Sequence, residues 1–152
     1  MLKSVNILIP LLTILLILAS CSGEGCYEDT DSHVNISLKE TDNESAVSID
    51  SLTVYGLNVN SDSLYKDASE SSLSLPLFAG SDHCVFIIIN GLSYDTIRIN
   101  YTSRYNFISK GCGYNYLHTI ESVSFTRNKI DTILIINDSV TPSDEENLRT
   151  FF

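Results

Sequence analysis

The chemistry most available to this 152-residue chain lies in its four cysteines, Cys21, Cys26, Cys84 and Cys112. Thiols can pair as disulfides, ligate a soft metal or act as nucleophiles, and spacing helps to separate these uses. Cys26, Cys84 and Cys112 show none of the close pairs of a zinc ligand set, so neither metal nor cofactor is expected. The remaining reactive residues do not assemble into a catalytic set. His118 and Glu121, three apart, would face opposite sides of a strand, and the adjacent Asp82, His83 and Cys84 would diverge for the same reason. Asp29 and Asp31 lie in a small, polar segment where ordering a calcium loop would cost entropy. The sequence holds no Gly-x-Ser-x-Gly elbow, His-Glu-x-x-His, phosphate loop or dinucleotide fingerprint. No catalytic residue is expected, and the chain is not expected to be an enzyme.

The elements around the cysteines say more. Ile7 to Ala19 is apolar except for Thr13, with Pro10 near its start and Lys3 before it. A signal-peptide core spans roughly 7 to 15 residues, whereas a membrane-crossing helix needs about 20. The run that follows, Leu18-Ala19-Ser20-Cys21, resembles the bacterial lipobox, whose cysteine receives diacylglycerol before cleavage on its amino side. Residues 1–20 are therefore expected to be a lipoprotein signal peptide, with Cys21 lipidated and the membrane its first partner. Each buried acyl methylene contributes about 0.8 kcal/mol, so the chains of such an anchor hold almost irreversibly. Ser22, rather than Asp, favours the outer membrane by analogy with other bacterial lipoproteins. The periplasmic and surface faces are both open.

With Cys21 consumed by lipid, three thiols remain, and in an oxidising envelope two should pair. Cys84 shares a face with Phe86 and Ile88 in an apolar strand and reads as a buried thiol. Cys26 and Cys112 both lie beside glycines in non-strand segments, so the disulfide is expected between them. Residues 21–32, lipidated at the start and then small and acidic, read as a tether that spaces the domain from the membrane. Charge agrees with an aqueous envelope: 19 acidic side chains oppose 9 basic ones, for a net charge of −10. Nucleic acid is excluded as a partner, because phosphate binding needs clustered Lys and Arg. The acidity fits solubility at a crowded surface, calcium or a basic partner.

From residue 33 to 152 the hydrophobic period is two, the signature of strands, in a length that suits one domain. Val34, Ile36 and Leu38 alternate with Asn35, Ser37 and Lys39; Val47, Ile49, Leu52 and Val54 continue similarly, with a break near Asp50 and Ser51; Ile97, Ile99 and Tyr101 point opposite to Arg98 and Asn100. The runs His83 to Ile89 and Asp131 to Ile136 are apolar on both faces and read as central strands. Asn90-Gly91, Gly111-Cys112-Gly113 and Arg127-Asn128-Lys129 supply turns. The pattern predicts an all-β antiparallel sandwich, Greek-key or immunoglobulin-like, of about seven to nine strands. The one helical turn is expected at Ser143 to Glu146, where Ser-Asp-Glu-Glu offers a capping box. A small outer-membrane barrel fits less well, since strands apolar on both faces do not alternate as a barrel requires.

The segments "DSLTVYGL", "DSLYKD", "LPL", "DTIRINY", "FISKGCGYNYLHTIESV", "TRNKIDTILIIND" and "ENLRTFF" together resemble an uncharacterised family of Bacteroidota lipoproteins, a domain of unknown function. The resemblance implies an envelope lipoprotein with an all-β domain and brings no known activity. Asp followed by Ser or Thr and an aliphatic residue recurs at Asp50, Asp62, Asp95, Asp131 and Asp138. Asp and hydroxyl side chains satisfy free backbone amides where strands begin. The same triplet also resembles O-glycosylation sites of Bacteroidota envelope proteins, and Ser63 and Ser139 are the candidates in loops. Two functions stay in view. One is a structural or accessory lipoprotein that binds an outer-membrane barrel or another envelope protein through a sheet edge or face. The other is a glycan-binding module that uses Tyr101, Tyr105, Tyr114 and Tyr116 as stacking surfaces, a role weakened by the lack of any Trp.

Overall fold

The computed structural model describes residues 25–26, 30–57 and 63–152. Their regular structure is all β, in ten strands: β1 His33–Lys39, β2 Ile49–Gly56, β3 Tyr65–Glu70, β4 Ser72–Pro76, β5 His83–Asn90, β6 Ser93–Ser109, β7 Gly113–Phe125, β8 Thr132–Ile135, β9 Ser139–Val140 and β10 Leu148–Phe151. They form a sandwich of two sheets, one ordered β4-β1-β10-β8 and the other β3-β2-β5-β6-β7-β9. Pairing is antiparallel throughout except between β1 and β10, which run parallel. The count exceeds the expected seven to nine because β3, "YKDASE", has too few apolar residues to signal a strand, and β9 is only two residues long.

Period-two patterning accounts for the core. Val34, Ile36 and Leu38 of β1 meet Leu52 and Val54 of β2, Cys84, Phe86 and Ile88 of β5, and Ile97, Ile99 and Tyr101 of β6 in one buried cluster. Ile49 and Leu52 are both buried although three apart, which strict alternation forbids. The register shifts between them, and Ser51 takes a φ of +55°, so a bulge at the break near Asp50 and Ser51 returns both side chains to the core. Asn90 pairs with Ser93, leaving Gly91-Leu92 as a two-residue turn; Gly91 alone takes a positive φ, +62°, as a type II′ hairpin requires.

Two expectations are corrected. The run Asp131 to Ile136 forms an edge strand, not a central one: β8 pairs only with β10, and Leu134, Ile135 and Ile136 are 47%, 42% and 45% exposed. Its apolar run looks identical to that of a buried strand because composition cannot report whether a second neighbour exists. Ser143 to Glu146 is a bend followed by irregular chain, not a helical turn, and its polar groups are used by strands. Asn35 Nδ2 donates to the carbonyls of Ser143 and Glu145, Glu146 accepts from Ser37 Oγ, and Arg149 grips the same carboxylate through Nε at 2.9 Å and a terminal nitrogen at 2.7 Å.

Asp95, at the start of β6, shows what the Asp of one such triplet does. Its carboxylate is 2% exposed and accepts from Thr126 Oγ1 at 2.7 Å and from the amides of Asn128, Lys129 and Ile130 at 2.8, 2.7 and 3.2 Å. It thereby satisfies the turn that carries the chain from β7 to the opposite sheet. Burial by itself would raise this carboxyl, but the Asn128 amide, the Thr126 hydroxyl and the next two amides hold it below the ordinary 3.8. A depressed carboxylate contributes stability that is complete above the unfolded value and is lost as pH falls through the folded one. Asp95→Asn should cost about 2 kcal/mol in urea unfolding at neutral pH. The gap to the native protein should narrow below pH 3.8, whereas a gap independent of pH would contradict this role.

Candidate functional site

Strand β6 has 17 residues and its neighbour β5 has 8. Pairing between them ends at His83 opposite Asn100, while β6 continues against β7 as far as Ser109 opposite Gly113. Beyond Asn100 the two strands therefore form a ribbon that outruns its own sheet. One face carries Tyr101 and then three cross-strand pairs: Ser103 with His118, Tyr105 with Tyr116, and Phe107 with Tyr114.

Burial along this face falls toward the tip. Tyr101 is wholly buried, which removes it from the expected stacking surface. Its hydroxyl accepts from the Phe78 amide at 3.0 Å, donates to the Phe78 carbonyl at 2.8 Å and lies 3.1 Å from Cys84 Sγ. Burial, with the Cys84 thiol beside it, pushes this phenol well above its usual range. Cys84 is the buried free thiol expected from the sequence. His118 comes next, packed edge-on against Tyr101 with ring centroids 5.3 Å apart and Nδ1 2.8 Å from Ser103 Oγ. Burial lowers its pKa below 6.5, so the ring is neutral at pH 7.

The last two pairs are open to solvent. Tyr105 and Tyr116 pack with tilted rings whose centroids are 4.5 Å apart, Phe107 and Tyr114 likewise at 5.0 Å, and Tyr105, Phe107 and Tyr114 are each more than half exposed. Phe107 was absent from the expected set, although the alternation Tyr101, Tyr105, Phe107 in "YTSRYNF" already places it on that face. A groove of about 420 Å³ lies beside the platform, where Asp31, Ser32 and His33 face Asn115, Tyr116 and His118. Ser32 Oγ donates to the Tyr116 carbonyl at 2.7 Å and holds this strap against β7.

The strap is fastened at its other end by the Cys26–Cys112 disulfide, which joins residues 86 apart with Cα atoms 4.6 Å from each other. Cys112 sits in the three-residue loop at the ribbon tip. Ser32 and Cys26 are both bonded to the ribbon, and four residues separate Cys26 from Cys21. Cys21 and the signal segment 1–20 lie outside the described residues.

Other candidates separate cleanly. Asp82 and His83 do meet, with Oδ1 2.6 Å from Nδ1, because Asp82 precedes the strand and escapes its alternation; Cys84 turns into the core. His118 is buried while Glu121 is exposed. Asp29 lies outside the described residues, and Asp31 lines the groove. Ser63 and Ser139 are both exposed; the Ser139 amide donates to Asn137 Oδ1 and its carbonyl accepts from Asn147 Nδ2. Among the described residues no group of three or more His, Cys, Asp or Glu is placed to hold a metal ion.

Closing an 86-residue loop stabilises the fold by roughly 4 to 5 kcal/mol in the chain-entropy account. Urea unfolding with and without reductant should show a loss of that order, and an unchanged midpoint would mean the bond does not form in solution. His118 should titrate below 6.5 by NMR. Its contribution to stability should be complete above 6.5 and decline as pH falls from there toward the folded value.

No curated protein and no solved structure matches the chain. A protein-family model described as "Family of unknown function (DUF6452)" matches residues 51–152. The match begins inside β2, so it leaves out β1, the strand that joins β4 to β10, and the strap that closes the groove. Two thirds of the chain, including the whole ribbon and the β8 edge, thus carry the family's sequence pattern, and the chain belongs to DUF6452, a family of unknown function.

Proposed function

We propose that this protein is a non-enzymatic accessory lipoprotein of the bacterial outer membrane, of the Bacteroidota type, anchored through Cys21, and that it binds an envelope protein by accepting an extended strand at β8. The observation that carries this reading is the contrast among the sheet edges. Folded proteins blunt open edges with charge, irregularity, proline or shortness. Here β3 carries Lys66, Asp67 and Glu70 and two register shifts, β4 ends in Pro76, and β9 is two residues long. Strand β8, four residues long, carries no charge, proline or register shift, and it and the residue after it present Leu134, Ile135 and Ile136 to solvent. An apolar edge left open in an otherwise guarded fold suits strand addition, where backbone hydrogen bonds give affinity and side-chain contacts give selectivity. The lipobox and the disulfide support the envelope as the place where this happens.

The groove beside the ribbon supports a second reading, a glycan-binding module. Its walls mix aromatic rings with Asp31, His33 and Asn115, and no described residue hydrogen-bonds His118 Nε2. Rings that stack with polar groups around them suit a polyhydroxyl ligand.

Crosslinking in intact outer membranes, followed by affinity purification and mass spectrometry, distinguishes the two. One stoichiometric envelope protein should be recovered, and Leu134→Lys with Ile136→Lys should abolish its capture while moving stability by no more than about 0.5 kcal/mol per site. Recovery of glycans alone, or undiminished capture by the double variant, would overturn the accessory reading.

A further inference from the structure

The disulfide limits how far the ribbon tip can lie from the membrane, given the lipid anchor at Cys21 on which this inference rests. Five peptide steps separate Cys21 from Cys26, a reach of at most about 18 Å. The Cys26–Cys112 bond adds 4.6 Å between Cα atoms, so the tip of the β6–β7 ribbon stays within about 23 Å of the lipid-bearing residue. Without the bond, the twelve steps to His33 would allow about 40 Å and no preferred orientation. The aromatic pairs lie just inside that tip: at ~3.3 Å per residue, Phe107 and Tyr114 sit within about 10 Å of the loop.

We propose that the face bearing Tyr105, Phe107, Tyr114 and Tyr116 is a membrane-contact platform, which the Cys26–Cys112 staple holds against the interface of the bilayer that carries the anchor. Rings with an apolar body and a polar tip favour the headgroup level, and three of these four side chains carry a phenol. The platform pairs its rings with one another and is left uncovered by the sandwich. Residues 101–118 contain Arg104 and Lys110 and no carboxylate, so the ribbon itself does not repel a lipid surface in a chain of net charge −10. Asp31 on the facing strap does oppose anionic lipid, so the contact is driven by ring burial and is insensitive to salt. The anchor supplies affinity and the platform supplies orientation: with the ribbon tip down, the domain is held in one pose instead of swinging freely.

The test uses the mature chain, residues 21–152, joined at Cys21 to a maleimide phospholipid in vitro. Cys84 is buried and Cys26 is bonded to Cys112, so Cys21 is the reactive thiol. The chain has no Trp, and Phe107→Trp therefore adds a single indole on the platform, with Leu134→Trp as the reporter on β8. In phosphatidylcholine vesicles with brominated acyl chains, the Phe107→Trp indole should lose about half its emission and the Leu134→Trp indole almost none. A flexible insertion of about 20 residues between Ser22 and Gly23, which leaves the fold and the disulfide intact, should bring the two reporters closer together. Equal quenching of both reporters would overturn the proposal. So would an unquenched Phe107→Trp indole whose emission responds to soluble oligosaccharide. Because the lipid is attached chemically, this result is independent of whether cells lipidate Cys21, which is the separate ground on which the anchored-lipoprotein reading stands or falls.

Discussion

The mismatch in length between β6 and β5 is the constraint from which the open aromatic face follows. A sandwich buries a strand only while a neighbour and an opposite sheet accompany it. As far as Asn100 that condition holds, and Ile97, Ile99 and the ring of Tyr101 fill the core. Past the Ser103–His118 pair the same alternation continues on the ribbon, but Tyr105, Phe107 and Tyr114 are exposed, so side chains that would be core become surface. A two-stranded ribbon is only marginally stable alone. The Cys26–Cys112 bond at its tip, the Ser32 contact to Tyr116 and the tilted ring pairs brace it.

On a different element the question is one of edges. Sheets expose two edges each, and backbone groups there remain able to recruit another strand. In this fold three of the four edges are irregular, proline-ended or very short, and the fourth is apolar. The two features lie on different elements and answer different questions in the proposed account: there the ribbon bears on how the domain sits, the β8 edge on what it meets.

Much of the fold was legible because alternation reports directly on a half-buried strand. Val34, Ile36 and Leu38, or Ile97, Ile99 and Tyr101, could hardly face any other way. The disulfide was legible by elimination among thiols in turns. What sequence withheld was non-local. Asp131 to Ile136 has the composition of a central strand, but whether a strand has one neighbour or two is decided by chain segments far away. Ser143 to Glu146 has a capping box, yet Ser37 and Asn35, more than a hundred residues earlier, claim its polar groups and no helical turn forms. Of the proposed stacking tyrosines, Tyr101 was lost to the core because alternation gives the face and not the depth at which the opposite sheet ends.

The proposed anchoring and orientation depend on the covalent state of two neighbouring cysteines, Cys21 with its proposed lipid and Cys26 joined to the ribbon. Top-down mass spectrometry of the protein purified from its own membranes, with fragmentation before and after reduction, reads both at once. The account requires a chain that starts at Cys21 with an acylated diacylglyceryl group, and fragments that keep Cys26 and Cys112 joined until reductant is added. A chain that starts at Met1, or a mature chain whose Cys21 is unmodified, would contradict it.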